Sequence, residues 1–500
     1  MGNPLDDLKP SLKKCYYCKK QNSLEESHKI RYKCSCDSCS NRKGFPDGVF
    51  ICNKCYEAKT QFSRSGNEVI DKFIMETFAN CDDEMHGEME FVSYDKFKDL
   101  EFIAEGGFSK VYKAIWEDGP ITSWNREKFK YNRQANKTIA LKELNNSKDI
   151  NSKELNEIKI FHRLCNYTIW ERDYNKYKYI NKYYGITQHP ESKNYMIIMN
   201  YCESGDLTHY IAKDFFNIKW YNKLHKLCDI ISGLKKIHYA DIIHQDYHSG
   251  NIFLEASRAP IMGDLGLSKS AIESVNDENN EVYGIIPYIA PEIFQGQKYT
   301  KASDVYSFGM IMWELMTGRR PFWDRSHDTD LIIEICDGLR PPIITNAPEG
   351  YIKLMKKCWH SDPNKRPTAK SLYSKIYAVL GKAWKYRYSP TEVIESPDIG
   401  PITTINPNAI YKSRPLSTMI KSAENTINIK KIDKRKFDEF FENNEENDEN
   451  DKTPKKLCVY ENHDYLTKEF RFDIDNNDID KINKIGYNGL YITKEIGFDI

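Results

Sequence analysis

Lys142 in IALKEL, Glu157 in ELNEIKIF, Asp246 and Asn251 in HQDYHSGN, Asp264 in DLG and the triplet Ala290, Pro291, Glu292 follow one another in a fixed order. Together they supply an ammonium, several carboxylates and an amide. Those are the groups needed to move a phosphoryl group from ATP, a reaction that depends on positioning and charge neutralisation more than on covalent chemistry. One such residue carries no weight, whereas the ordered set is specific.

The elements that must position these groups are legible as periodicity. From about 96 to 383 short apolar strands give way to longer helical runs, the order of an α+β unit. FIAEGGFSKVYKAIW reads as strand, glycine turn, strand, while TIALKEL, which carries Lys142, and YMIIMNY read as further strands. SKELNEIKIFHRL carries Glu157 on a helix, and KWYNKLHKLCDIISGLKKIHYA and SDVYSFGMIMWELMTG have long helical periodicity with one apolar face. Stretches 117–137 and 166–183 read as polar insertions. Residues 61–95 read as a polar linker holding one amphipathic helix, with Val69, Phe73, Ile74 and Phe78 on its packing face.

At 500 residues the chain exceeds what one core usually serves. Lys plus Arg and Asp plus Glu are balanced at 73 each, which removes any whole-molecule attraction to nucleic acid or membrane. No run approaches the roughly 18 apolar residues of a membrane helix, and MGNPLDDLKPSLKK lacks the apolar stretch of a secretory signal. The expectation is a soluble cytoplasmic chain, with the basic cluster KKIDKRK leaving the nucleus open. Residues 384–500 are rich in Asn, Asp, Glu, Lys and Ile, with eight acidic residues among the fourteen from Asp438 to Asp451, and read mostly as a disordered tail.

Of 14 cysteines, eight fall before residue 82, most of them at paired spacings within residues 1–60. Cys15 with Cys18 and Cys52 with Cys55 form two tight turns, the arrangement of a zinc-ribbon-like Zn2+ site. Cys34, Cys36, Cys39 and His28 are candidates for a second site, and free thiols or redox pairs are the alternative. So short a module would take most of its folding free energy from the metal.

Residues 96–383 resemble a eukaryotic protein kinase domain of the tyrosine-kinase-like group. The polar series is joined there by SDVYSFGMIMWELMTGRRPF and CWHSDPNKRPTA, which are similar to that group's C-terminal lobe. The resemblance implies a bilobal fold, with a small β-rich N-lobe and a larger helical C-lobe. It also implies ATP and Mg2+ as cofactors and a protein as substrate. Lys142 would hold the α- and β-phosphates, with Glu157 preferred over Glu154 as the anion that fixes it. Asp246 would accept the substrate hydroxyl proton, and Asn251 and Asp264 would bind Mg2+. The glycine loop would be Ala104, Glu105, Gly106, Gly107 and Phe108, with Val111 above the adenine and Ala140 and Phe253 sandwiching it. Met199 would guard the back of the pocket, and Asn200 to Cys202 would form the hinge. Glu292 with Arg366 would anchor the substrate-binding segment, and Asp304 would brace the catalytic loop.

The sequence also departs from the family pattern. Ala104 and Ser109 replace the outer glycines of Gly-x-Gly-x-x-Gly. Gln245 replaces the arginine before the catalytic aspartate, so a phosphorylated activation loop loses its main docking partner. His248 stands in place of a lysine that touches the γ-phosphate, Ile285 in place of a threonine that bonds the catalytic aspartate, and Leu265 in place of a phenylalanine. Nothing selects one regulatory site among Ser268, Ser270, Ser274 and Tyr283. Two readings follow: an active kinase preferring serine and threonine, or a pseudokinase that binds nucleotide and acts as a scaffold. The intact set Lys142, Glu157, Asp246, Asn251 and Asp264 favours the first. The zinc module and the tail are candidate contacts for a protein partner.

Overall fold

The computed structural model describes residues 63–79, 87–107, 109–125, 128, 130–149, 155–167, 179–255, 259–271, 281–384, 397–402, 405–426 and 495–496. The zinc-module candidates Cys15, Cys18, Cys34, Cys36, Cys39, Cys52, Cys55 and His28 lie outside them, as do Phe108, Glu154 and Ser274. No helix among the described residues is long and apolar enough to cross a membrane.

Helix α1 (Glu68–Ala79) precedes strands β1 (Glu90–Phe91), β2 (Phe97–Glu105), β3 (Ser109–Trp116), β4 (Ile121–Asn125), β5 (Lys130–Arg133) and β6 (Lys137–Leu144). Helix α2 (Asn156–Tyr167), β7 (Tyr183–Gln188) and β8 (Tyr195–Asn200) complete the N-lobe. Six strands make one sheet in the order β1-β7-β8-β6-β3-β2, while β4 and β5 form a separate hairpin. Alternation divides this sheet into two faces. Ala114, Trp116, Ile139, Leu141, Met196 and Ile198 form an apolar cluster on one face. Val111, Ala140, Lys142, Ile197 and Met199 share the other, because Val111 and Ile197 both lie opposite Lys142 and Met199 lies opposite Ala140.

In the C-lobe, α3 (Leu207–Asp214) and α4 (Trp220–Tyr239) lead into the short strands β9 (Ile242–Ile243), β10 (Ile252–Leu254), β11 (Pro260–Met262), β12 (Lys269–Ser270) and β13 (Tyr283–Gly284). Then follow α5 (Pro291–Phe294), α6 (Lys301–Thr317), α7 (Thr329–Cys336), β14 (Ala347–Pro348), α8 (Tyr351–Cys358) and α9 (Ala369–Trp384). Helix α6 is the central post, buried over almost its whole length from Ser303 to Thr317. A Thr300/Ser303 capping box opens it and Gly318, at φ 77°, closes it.

Two expected boundaries are corrected. The helix within 61–95 forms, but it belongs to the N-lobe core rather than to a linker. Ile70, Phe73, Ile74 and Phe78 are buried together with Ile158, Phe161 and Leu164 of α2, whereas Val69 is 42% exposed. Turning the stripe by one residue is the difference between reading Val69 and reading Ile70. The insertion at 117–137 also joins this core. Tyr131 packs on Phe78 at 5.9 Å, and Arg133 donates to Glu90 at 3.0 Å.

Within the tail expected to be mostly disordered, the described residues 397–402 and 405–426 form a packed strap. Gly400 N–H donates to Thr317 O at 2.7 Å, Asn408 O accepts from His327 N–H at 3.0 Å, and Tyr411 O–H donates to Pro321 O at 2.9 Å. Next comes β15 (Arg414–Pro415), antiparallel to β13, followed by a helix over 417–426 that seats Leu416, Ile420 and Ala423 in the core. Farther on, β16 (Glu495–Ile496) pairs in parallel with β14. Few strap contacts are local in sequence, so neither helical nor strand periodicity announces it.

If α1 is structural, Phe78→Ala should cost about 3–5 kcal/mol in denaturant unfolding, the range for truncating a buried phenylalanine. A change below about 0.5 kcal/mol, typical of a surface site, would contradict this placement.

Candidate active site

Lys142 lies on the inner face of β6, and its Nζ donates to Glu157 Oε2 at 2.9 Å and to Asp264 Oδ1 at 2.7 Å. Burial works against the ammonium, but Asp264 and Glu157 outweigh it and hold the Lys142 pKa above its ordinary value. Burial likewise opposes charge on Asp264, and Lys142 overcomes it, keeping that carboxylate below the usual range. Glu157 is buried and its second oxygen accepts from Tyr183 O–H at 2.9 Å. The Asp264 side chain, by contrast, is 40% exposed. One partner of the lysine is therefore a fixed anchor, and the other opens outward.

Helix α2 is tied to the Asp264 segment by Asn156, whose amide donates to Gly266 O at 2.9 Å and Ser268 O at 2.8 Å. Sequence reasoning missed Tyr183 and Asn156. Tyr183 lies in an apolar strand and Asn156 at a helix start, so neither carries a spacing signal.

The second group is built on the loop between β9 and β10. Asp304 of α6 accepts from His244 N–H at 2.9 Å and Gln245 N–H at 3.0 Å, and it contacts His238 Nε2 at 2.8 Å, as expected of a residue bracing this loop. Gln245 sits at φ 70° and so supplies backbone shape. Asn251 Nδ2 donates to Asp246 O at 2.9 Å, which leaves its Oδ1 as the free acceptor. His248 Nδ1 accepts from Gly250 N–H at 3.1 Å, so the neutral ring carries its proton on Nε2, 3.6 Å from Asp246 Oδ1.

The two groups are joined through the backbone. Gly263 N–H donates to Asn251 O at 3.0 Å, and Gly263 O meets His244 Nε2 at 3.2 Å, which sets Asp264 beside Asn251. Burial lowers the His244 pKa, so this ring is neutral and acts as a strut.

Of the expected nucleotide contacts, Val111, Ala140 and Met199 lie on the same sheet face as Lys142. Phe253, on β10, packs where a Cβ on Gly263 would stand 2.7 Å from its ring. Asn200 ends β8, and burial pushes the thiol of nearby Cys202 up to about 12, which leaves it unreactive. Ala104 and Glu105 end β2, and Gly106 N–H donates to Ser109 O at 2.8 Å, so the turn closes despite the lost glycines. Farther away, both guanidinium arms of buried Arg366 reach Glu292, at 2.6 and 2.7 Å, as expected.

Beneath the catalytic loop, buried Glu314 accepts from Tyr288 O–H at 2.5 Å. Burial raises its pKa to about 7, with Tyr288 and Ser249 offsetting only part of the shift. A carboxyl whose folded pKa is raised retains a proton that the unfolded chain releases, so stability falls as pH rises from about 4.5 to about 7. Across that window the wild type should lose on the order of 3 kcal/mol relative to Glu314→Gln. Parallel pH profiles in urea unfolding would contradict this.

The comparisons with known proteins agree with this geometry. Residues 97–376 match the family described as protein tyrosine and serine/threonine kinase. A putative serine/threonine-protein kinase/receptor of Acanthamoeba polyphaga mimivirus is 28% identical over 298 residues, 58% of this chain and 17% of that protein. A probable serine/threonine-protein kinase of Dictyostelium discoideum is 30% identical over 223 residues, 42% of this chain and 12% of that protein. Human mitogen-activated protein kinase kinase kinase 4 is 28% identical over 309 residues, 60% of this chain and 17% of that protein. The chain thus spans less than a fifth of these relatives' lengths. The match covers more than half of the chain and contains every catalytic position assigned above, so the chain belongs to the protein tyrosine and serine/threonine kinase family.

Proposed function

We propose that this chain transfers the γ-phosphate of ATP to a serine or threonine hydroxyl of a protein substrate. The observation that carries this reading is the buried Lys142 ammonium, held between Glu157 and Asp264. So arranged, it supplies fixed positive charge where phosphates would lie, at no reorganisation cost during reaction. The free Oδ1 of Asn251 and the open carboxylate of Asp264 are hard oxygen donors that suit Mg2+, which would neutralise phosphate charge when bound. Asn251 Nδ2 holds Asp246 through its backbone oxygen at 2.9 Å and more weakly through Oδ2 at 3.4 Å, and the Asp246 carboxylate would accept the substrate hydroxyl proton. His248 Nε2 lies beside it, 3.6 Å from Asp246 Oδ1.

Phosphate transfer to a general protein substrate, followed with radiolabelled ATP, should fall about a hundredfold to ten-thousandfold in Asp246→Asn. Wild-type incorporation no higher than that variant's, with ATP still bound, would replace the kinase by a nucleotide-binding scaffold. The proposed zinc module is supported by cysteine spacing alone. Elemental analysis should find about one or two zinc ions per chain, and alkylation of Cys15, Cys18, Cys52 and Cys55 in zinc-free native protein would remove it.

A further inference from the structure

The strap after the C-lobe ends at the catalytic cleft. Its β15 pairs antiparallel with β13, with Pro415 opposite Tyr283 and Arg414 opposite Gly284. Leu416 N–H extends the pairing to Val282 O at 2.8 Å, and Val282 N–H donates to Ser417 Oγ at 3.2 Å. Gly284 adjoins the catalytic aspartate: a Cβ built on it would stand 3.8 Å from Asp246 Oδ1. Ser413 precedes the paired residues on the strap, as Ile285 follows them on the other strand.

From the other lobe, a Cβ on Gly107 of the glycine loop would stand 3.5 Å from Ser413 O. Ser413 therefore lies between the glycine loop and the segment that runs past Asp246. Its hydroxyl oxygen is shut off from solvent and has no hydrogen-bond partner among the described residues. A buried hydroxyl without a partner is costly and calls for an explanation, a catalytic role among them. The strap is held there by Arg414, which donates to His327 O at 2.6 Å, and by fully buried Leu416.

From this we infer that Ser413 is an intramolecular phosphorylation site, and that residues 413–416 occupy the place of an extended peptide substrate. The inference rests on the kinase reading above. Ser413 Oγ would bond to the γ-phosphorus of ATP as the bond from that phosphorus to the ADP oxygen breaks. ADP leaves, and the hydroxyl proton passes to the Asp246 carboxylate. Substrates in trans would bind by the same strand addition to Tyr283 and Gly284, with the acceptor serine or threonine one residue before the paired segment. The seated strap competes with them and slows transfer to other proteins.

The full chain with MgATP should gain phosphate at Ser413 at a rate per molecule that does not change with protein concentration, as phosphopeptide mapping would show. Ser413→Ala should lack that phosphate. Leu416→Pro, which withdraws both the N–H and the buried side chain, should lose it and phosphorylate a protein substrate about tenfold or more faster, because a tethered competitor is removed. In nucleotide-free wild type, the Leu416 amide should be protected from hydrogen exchange.

A bare Ser413 in a chain that phosphorylates other proteins would overturn this inference alone, as would an unprotected Leu416 amide or a rate that rises with concentration. A protected strap with no transfer to any hydroxyl would instead bring down the kinase reading on which it rests.

Discussion

The structure is organised around one ammonium that cannot be left alone. Lys142 is buried on the inner face of the sheet, where an unpaired charge would cost several kcal/mol, so Glu157 and Asp264 must both be present. Glu157 can reach it only if α2 is docked, and Asp264 only if the segment after β11 is in place. One residue thereby requires a helix, a sheet and a loop from two lobes to adopt a single arrangement. The helix is held in turn by Asn156 and by the apolar faces of α1 and α2, which explains why a segment outside the expected domain belongs to it.

The second half of the site depends on Asp304 in the same way. Its carboxylate collects two backbone amides and a histidine, fixing the loop that carries Asp246 and Asn251. That loop is shaped from within the C-lobe, and Gln245, where the family pattern has arginine, takes part through its backbone N–H. At the same edge of the cleft the strap supplies the activation segment with a β partner from the chain itself.

The chemical residues were legible in the sequence because phosphoryl transfer fixes their types and their order. Lys142, Glu157, Asp246, Asn251 and Asp264 can be named on that basis, with Glu157 preferred over Glu154 because its spacing to Ile158, Ile160 and Leu164 matches the family pattern. What the sequence hid is long-range support with no local period. Tyr183 looks like any strand aromatic, α1 looks like a linker helix, and the strap looks like a polar tail because its apolar residues are paired with partners far away in the chain. The shift from Val69 to Ile70 shows how a short amphipathic helix leaves its facing ambiguous by one residue until a neighbour is present.

The central claim is that a preorganised lysine charge, positioned by a buried glutamate, drives phosphoryl transfer. It is tested most directly by the single-turnover rate of γ-phosphate transfer from saturating ATP in wild type and Lys142→Met. The account predicts a loss of about a hundredfold or more, as for removal of a positioned electrostatic group. Equal rates in the two proteins would contradict it.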